Sequence, residues 1–273
     1  MPIQKCPMCL ETKKVVSSHL YPAALYVNCR SANDASPVRM GDGVVMQTDR
    51  QMQDYLLCEE CEDILNRGGE KWTNPKLARL NKTFPLYEIL VKGPTGHADE
   101  TGGIYFASSN PEIDVEKMTH FALGIFWKAS VYSWKANERN PMIQLGPYGD
   151  LIRLWLRGER AFPEGVCLSV LVARPEQALI VLNGPSATSL RGWHAFLLNV
   201  PGVSFILNVG RHMDPEMILT CFHESPQHPV FVSDEIMGLV WKRFVEQFLE
   251  SRKTKSYLAA KAKRSPIGKP EVK

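Results

Sequence analysis

The sequence predicts an α+β protein made of a small N-terminal module and a larger C-terminal α+β domain with an antiparallel sheet. Three observations carry this. Two Cys-x-x-Cys pairs, Cys6/Cys9 and Cys58/Cys61, bracket the first quarter of the chain. The stretch KGPTGHADETGG, residues 92–103, holds four glycines and a proline and breaks all apolar periodicity. Beyond it, a helical pattern, several β-type runs and a closing amphipathic pattern follow one another, which is the order of an α+β domain.

A Cys-x-x-Cys step lets two thiolates reach one tetrahedral metal from a single tight turn. Two such steps supply four sulfur ligands, which suit Zn²⁺ at about 2.3 Å per bond. The expectation is therefore one structural zinc held by Cys6, Cys9, Cys58 and Cys61. The remaining three of the seven cysteines, Cys29, Cys167 and Cys221, sit in mostly apolar settings and read as small core residues. An odd number with four committed to metal suits a reducing cytoplasm better than a disulfide framework.

The N-terminal module spans 1–92. Val15–Leu20 alternates as a short strand ending before Pro22, and polar residues including ANDASP and MGDG loop out after it. Val44–Thr48 and Tyr55–Leu57 suggest a second strand region. A helix starts at the second cysteine pair, with Gly68-Gly69 as its stop signal. Knuckle, hairpin and a helix carrying the second pair are the order of a treble-clef finger. Residues 93–103 read as a linker.

The second domain spans 104–251. Met118, Phe121, Ala122, Ile125, Phe126 and Ala129 recur at helical spacing over Pro111–Trp134, behind an Asn110 N-cap. Val166–Ala173 and Ala178–Leu182 read as strands around an RPEQ turn. His194–Val200 and Val203–Val209 are two more, divided by Pro201-Gly202. Met237–Leu249 reads as a closing amphipathic helix. Neither of the glycine-rich phosphate-loop patterns occurs.

The net charge of +3 hides an uneven distribution. Residues 252–273 carry eight basic side chains and one acid, +7, so residues 1–251 sum to 3 − 7 = −4. The tail reads as a contact for nucleic-acid phosphates or as a solubilising end. No uncharged apolar run reaches about 18 residues, so no membrane partner is expected. The N-terminus, with Pro2, Lys5 and a cysteine pair, lacks the apolar stretch of a secretory signal.

Between the cysteine pairs stands Ser18-His19-Leu20-Tyr21-Pro22, and LLCEECE follows at Leu56–Glu62. Over residues 6–72 this resembles the HNH branch of the His-Me finger nucleases, with their ββα zinc module, and points to a bacterial or phage-related protein. The resemblance implies that His19 is the general base that activates water, and that Glu62 stands at the closing metal-ligand position. It also implies a catalytic Mg²⁺ or Mn²⁺ that polarises the scissile phosphate. Ser18 stands where the family has an acid, and Gln53 falls near its asparagine. On the same resemblance, Asp54 or Asp63 is the carboxylate expected to assist Glu62.

Two readings of function follow. One is metal-dependent binding or cleavage of nucleic acid through His19 and Glu62. The other is a non-catalytic adaptor whose zinc only stabilises the fold and which acts through protein partners. Weaker candidates are Glu70 with Trp72, and a polar stretch holding His212, Asp214, Glu216, Cys221, His223, Glu224 and His228. No Gly-x-Ser-x-Gly elbow appears.

Overall fold

The computed structural model describes residues 1–30, 38–41, 44–48, 50–81, 83–134, 140–190 and 193–234, together with Gly238, Lys242, Val245 and Glu246. Apart from those isolated positions, the closing helix expected over 237–249 lies outside the described residues, as does the whole basic tail. Residues 1–29 and 51–234 form one compact unit; residues 30–50 and 235–273 group into a second. Among the described residues no helix is long and apolar enough to cross a membrane.

The chain begins with β1 (Ile3–Lys5) and β2 (Thr12–His19), an antiparallel pair closed by the first cysteine turn. Helix α1 (Ala23–Asn28) follows Pro22. In the second unit, β3 (Val38–Gly41) and β4 (Val44–Gln47) pair as a hairpin. Back in the first unit, β5 (Gln53–Cys58) pairs with β2 and completes a three-stranded sheet in the order β1-β2-β5. Cys58 ends that strand in an extended conformation and caps α2 (Glu59–Leu65).

The helical path does not stop at Gly68-Gly69. It runs on through a π-turn at Asn66–Glu70, α3 (Lys71–Thr73) and a 3₁₀ turn at Asn74–Lys76. The reason is close packing. A Cβ on Gly69 would lie 2.4 Å from the backbone N of Phe121 and 2.5 Å from the backbone O of Lys117, and one on Gly68 would enter the His120 ring. The glycines therefore let two backbones touch. Gly69→Ala removes a helix-disfavouring residue, normally a gain of about 1 kcal/mol. Here the obstructing atoms are backbone, so the expected outcome is a net loss of about 3 kcal/mol, read as a lower urea midpoint. A midpoint equal to or above that of the parent chain would contradict the close approach.

Helix α4 (Pro85–Lys92) precedes the stretch expected as a linker, which instead holds β6 (Thr95–Ala98) and the start of β7 (Gly102–Phe106). Asp99 makes the turn: its Oδ1 accepts from Thr101 N at 2.7 Å and Gly102 N at 3.0 Å. The glycines again serve contact, since a Cβ on Gly102 would meet Val232 O at 2.2 Å. Composition alone does not distinguish such a hairpin from a linker, because both use glycine and Asx turns.

Helix α5 (Val115–Val131) starts four residues later than Pro111. Asp114 is its cap, accepting from Lys117 N, while Asn110 bonds Ile89 O and Glu112 N instead. Helix α6 (Tyr148–Leu156) was not anticipated from the sequence. The remaining strands are β8 (Val166–Val172), β9 (Asn183–Leu190), β10 (Trp193–Val200) and β11 (Val203–Val209). They are followed by α7 (Pro215–Leu219) and β12 (Pro229–Ser233). The strand expected over Ala178–Leu182 is displaced to β9. Leu179 instead offers its carbonyl to Gly202 N at 2.9 Å.

The large sheet runs β6-β7-β12-β8-β11-β10-β9, antiparallel throughout except for β12 against β8. Helix α5 is buried nearly all round, with Met118, Phe121, Phe126 and Trp127 at 1 % exposure or less. A helix without a polar face must be covered on several sides. Phe121 meets Phe205 of β11 at a ring separation of 6.1 Å, and the Gly68-Gly69 turn covers another flank.

Candidate metal centre and the buried ion pair beside it

The two cysteine turns converge. Leu10 N donates to Cys6 O at 2.8 Å and Cys6 N to Glu11 O at 2.9 Å, closing the first turn, with Leu10 at φ 66°. The second pair straddles the start of α2. All four sulfurs, of Cys6, Cys9, Cys58 and Cys61, lie within 4.8 Å of one another. Cys9 Sγ stands 3.9 Å from Cys58 Sγ, where four 2.3 Å bonds in a tetrahedron place ligands about 3.8 Å apart. The donor set and its spacing fit a metal ion such as zinc.

Within the cluster, the surroundings favour a thiolate at Cys6, while Cys58 is raised chiefly by burial and Cys61 chiefly by its bond to Cys6. The Cys6 thiol is lowered to about 4, first by the hydrogen bond from Cys61 and then by backbone donors, against the effect of burial. Arg157 Nη1 approaches Cys61 Sγ at 3.9 Å, and Arg153 Nη1 donates to Met8 O at 2.9 Å. Both arginines come from α6 or its C-terminal end, an element the sequence reading did not contain. They bring positive charge to a site that would be dianionic with zinc.

His19 ends β2 directly opposite Gln53 in the β2–β5 register. Its imidazole is held below its ordinary pKa, first by burial and then by the charge of Lys128; side-chain bonds with Gln53 and Gln51 oppose this. His120 is lowered too, chiefly by burial. A depressed folded-state value contributes stability that is present above the unfolded value, about 6.5, and is lost as pH falls through the folded one. The expected result is an NMR titration midpoint below 6.5 for both rings, and a thermal midpoint that falls as the solution is acidified from neutrality through the histidine range. His19→Gln should flatten that fall. A His19 midpoint above 6.5 would contradict the burial and the Lys128 contact.

Lys128 has a central place that the sequence reading missed. It lies on α5 with only 1 % of its surface exposed. Its Nζ donates to His19 O at 2.7 Å and pairs with Glu70 Oε1 at 3.3 Å. The charge of Lys128 also acts on Glu62, whose carboxyl is nevertheless raised by burial. Glu62 shares a hydrogen bond with Ser18, and Ser18 Oγ accepts from Leu57 N at 3.0 Å. The other oxygen, Glu62 Oε1, is buried without a hydrogen-bond partner among the described residues. A lysine inside an otherwise apolar helical run was the available signal, since a buried lysine needs a partner.

The other candidates are placed as follows. Asp54 accepts from Tyr132 Oη, and Asp63 pairs with Arg67 at 2.6 Å one helical turn away. Trp72 carries Lys76 over its ring at 4.0 Å. Of the polar stretch 212–228, His223 stacks on Phe162 at 4.0 Å and sits between Glu116, at 2.8 Å, and Glu224, at 2.9 Å. Among the described residues, the four cysteines are the only group of three or more possible ligands brought together to hold a metal ion. No protein-family model matches the chain, and no curated protein or solved structure matches it significantly.

Proposed function

We propose that this chain is a zinc-stabilised, HNH-like binding module in which the ammonium of Lys128 takes the place of a catalytic divalent ion. The observation that carries the reading is the Lys128 pairing. A buried cation already bonds the His19 carbonyl and Glu70 and acts on Glu62. A divalent ion bound to Glu70, whose Oε1 lies 3.3 Å from Lys128 Nζ, would stand about 5 Å from that ammonium. At an effective dielectric of 20 the repulsion is about 7 kcal/mol. Ser18 adds no charge to offset it, and hard cations need carboxylate oxygens. The Cys₄ zinc then serves the fold, and the acidic balance of residues 1–251, −4, favours a protein partner for the body of the chain.

A second reading, phosphodiester cleavage with His19 as base and Glu62 as metal ligand, draws support from one arrangement. Gln53 bonds the His19 side chain as an orienting amide would, and the charge of Lys128 acts on both His19 and Glu62. One experiment separates the readings. Zinc-loaded protein is incubated with DNA and RNA in Mg²⁺ or Mn²⁺, beside His19→Ala. The binding-module reading expects no cleavage above background and no Mn²⁺-dependent rise in thermal midpoint. Cleavage that is lost in His19→Ala with zinc content unchanged would replace it with the nuclease reading.

A further inference from the structure

Far from the zinc ligands in sequence, Cys167 on β8 and Cys221 just beyond α7 meet at one cavity. Both are buried, at 1 % exposure each. Both nevertheless line a cavity of 360 Å³, with Glu164, Arg211, His212 and Glu224 among its other walls. One residue beyond each cysteine, Phe222 N donates to Leu168 O at 2.7 Å. The two backbones therefore run a single hydrogen bond apart, which is close to the Cα separation of about 5.5 Å that a disulfide spans. The Cys167 thiol donates to Met217 O at 3.3 Å, and the two thiols act on each other electrostatically.

The pair is asymmetric. Cys221 is lowered to about 6, first by the neighbouring Cys167 and then, against burial, by backbone donors at Glu224, Leu168 and His223. Cys167 is raised, first by the neighbouring Cys221 and then by burial. A thiolate held by amides beside a protonated thiol, at the wall of a cavity, has the order of an attacking and a resolving cysteine. Neither residue is used by the zinc site or by the Lys128 cluster.

We propose that Cys167 and Cys221 form a redox-active dithiol that exchanges with a small disulfide entering the cavity. The Cys221 thiolate attacks one sulfur of R–S–S–R, forming a mixed disulfide and releasing RS⁻. Cys167 then loses its proton to solvent and attacks Cys221 Sγ, closing the intramolecular disulfide and releasing the second RS⁻. Two protein thiols are oxidised to one disulfide, and the small disulfide is reduced to two thiols. The zinc cysteines differ in that their sulfurs are committed to metal.

The test uses the full-length, zinc-loaded chain with oxidised glutathione as probe. After exposure, free thiols are alkylated and the protein is cut with trypsin. Each cysteine of the pair falls in a separate peptide, 161–191 and 212–242, that holds no other cysteine. The expected result is a single 161–191/212–242 linkage that dithiothreitol releases. Cys167→Ser should instead hold one glutathione at Cys221, and Cys221→Ser should give neither product. The wild-type measurement stands even if a variant fails to fold. Both peptides recovered fully alkylated from folded wild-type protein would overturn the proposal, as would a glutathione adduct on Cys167→Ser at any cysteine other than Cys221.

Discussion

Cys58→Ser should leave the chain without zinc and unfolded well beyond the N-terminal module. Structural Cys₄ sites contribute about 10–16 kcal/mol of apparent binding free energy at neutral pH, which is as large as the whole stability of an ordinary domain. Cys58 closes β5, caps α2 and supplies one of the four convergent sulfurs. The α2 path continues into the Gly68-Gly69 turn, which packs backbone to backbone against α5, and α5 lies on β11 through Phe121 and Phe205. Loss of the metal should therefore reach the large sheet rather than stop at residue 92. Elemental analysis should give about one zinc per parent chain and far less in the variant. Far-UV and near-UV circular dichroism should show the variant losing tertiary signal at 25 °C. A zinc-free variant that keeps the near-UV spectrum and thermal midpoint of the parent would remove the structural role assigned to the metal.

Lys128→Met should be the second most costly single change. The substitution keeps most of the side-chain volume but removes the ammonium from a site with 1 % exposure. Glu70 then keeps a charge, only 16 % of it exposed, with its partner gone, and the His19 carbonyl loses its 2.7 Å donor. Breaking a buried ion pair from one side costs about 3–5 kcal/mol. Much of that is the penalty on the charge left behind, so Lys128→Met combined with Glu70→Gln should recover part of the loss. Urea midpoints for the two single variants, the double variant and the parent chain complete the cycle. A single-variant loss below about 1 kcal/mol, the range of exposed pairs, would show that Lys128 does not hold the strand end at His19 to α5. The same variant bears on function: if Lys128 stands in for a divalent ion, Mn²⁺ should raise the thermal midpoint of Lys128→Met and leave the parent unchanged.

The zinc-type cluster was the most legible feature of the sequence, because two Cys-x-x-Cys turns specify local geometry within four residues each. Their mutual approach needed only β2 and β5 to pair. β2, β5, α2, β8, β10 and β11 were likewise expected near their observed places, from alternation, short apolar runs or turn signals within each segment. Where the structure departs from expectation, the deciding contact is distant in sequence. Gly68-Gly69 reads locally as a helix stop, yet the atoms that require glycine there belong to Lys117, His120 and Phe121. Residues 93–103 read as a linker, yet Gly102 is needed because Val232 O lies against it.

The candidate site divides in the same way. Cys6, Cys9, Cys58 and Cys61 are marked by residue type and spacing, and His19 and Glu62 only by the resemblance to the HNH motif. Lys128, Glu70, Arg153 and Arg157 acquire their roles only when α5 and α6 are laid against the cysteine module. The Cys167–Cys221 pair likewise depends on the chain after α7 returning to β8, 54 residues later in the sequence. By itself the sequence determined what is encoded within a turn or a strand: the ligand spacing, the apolar periods and the charge imbalance. Tertiary structure alone decided which buried charges meet and where backbones touch. Pairing free energy and steric exclusion depend on separations of a few ångströms, between residues whose distance along the chain carries no such information.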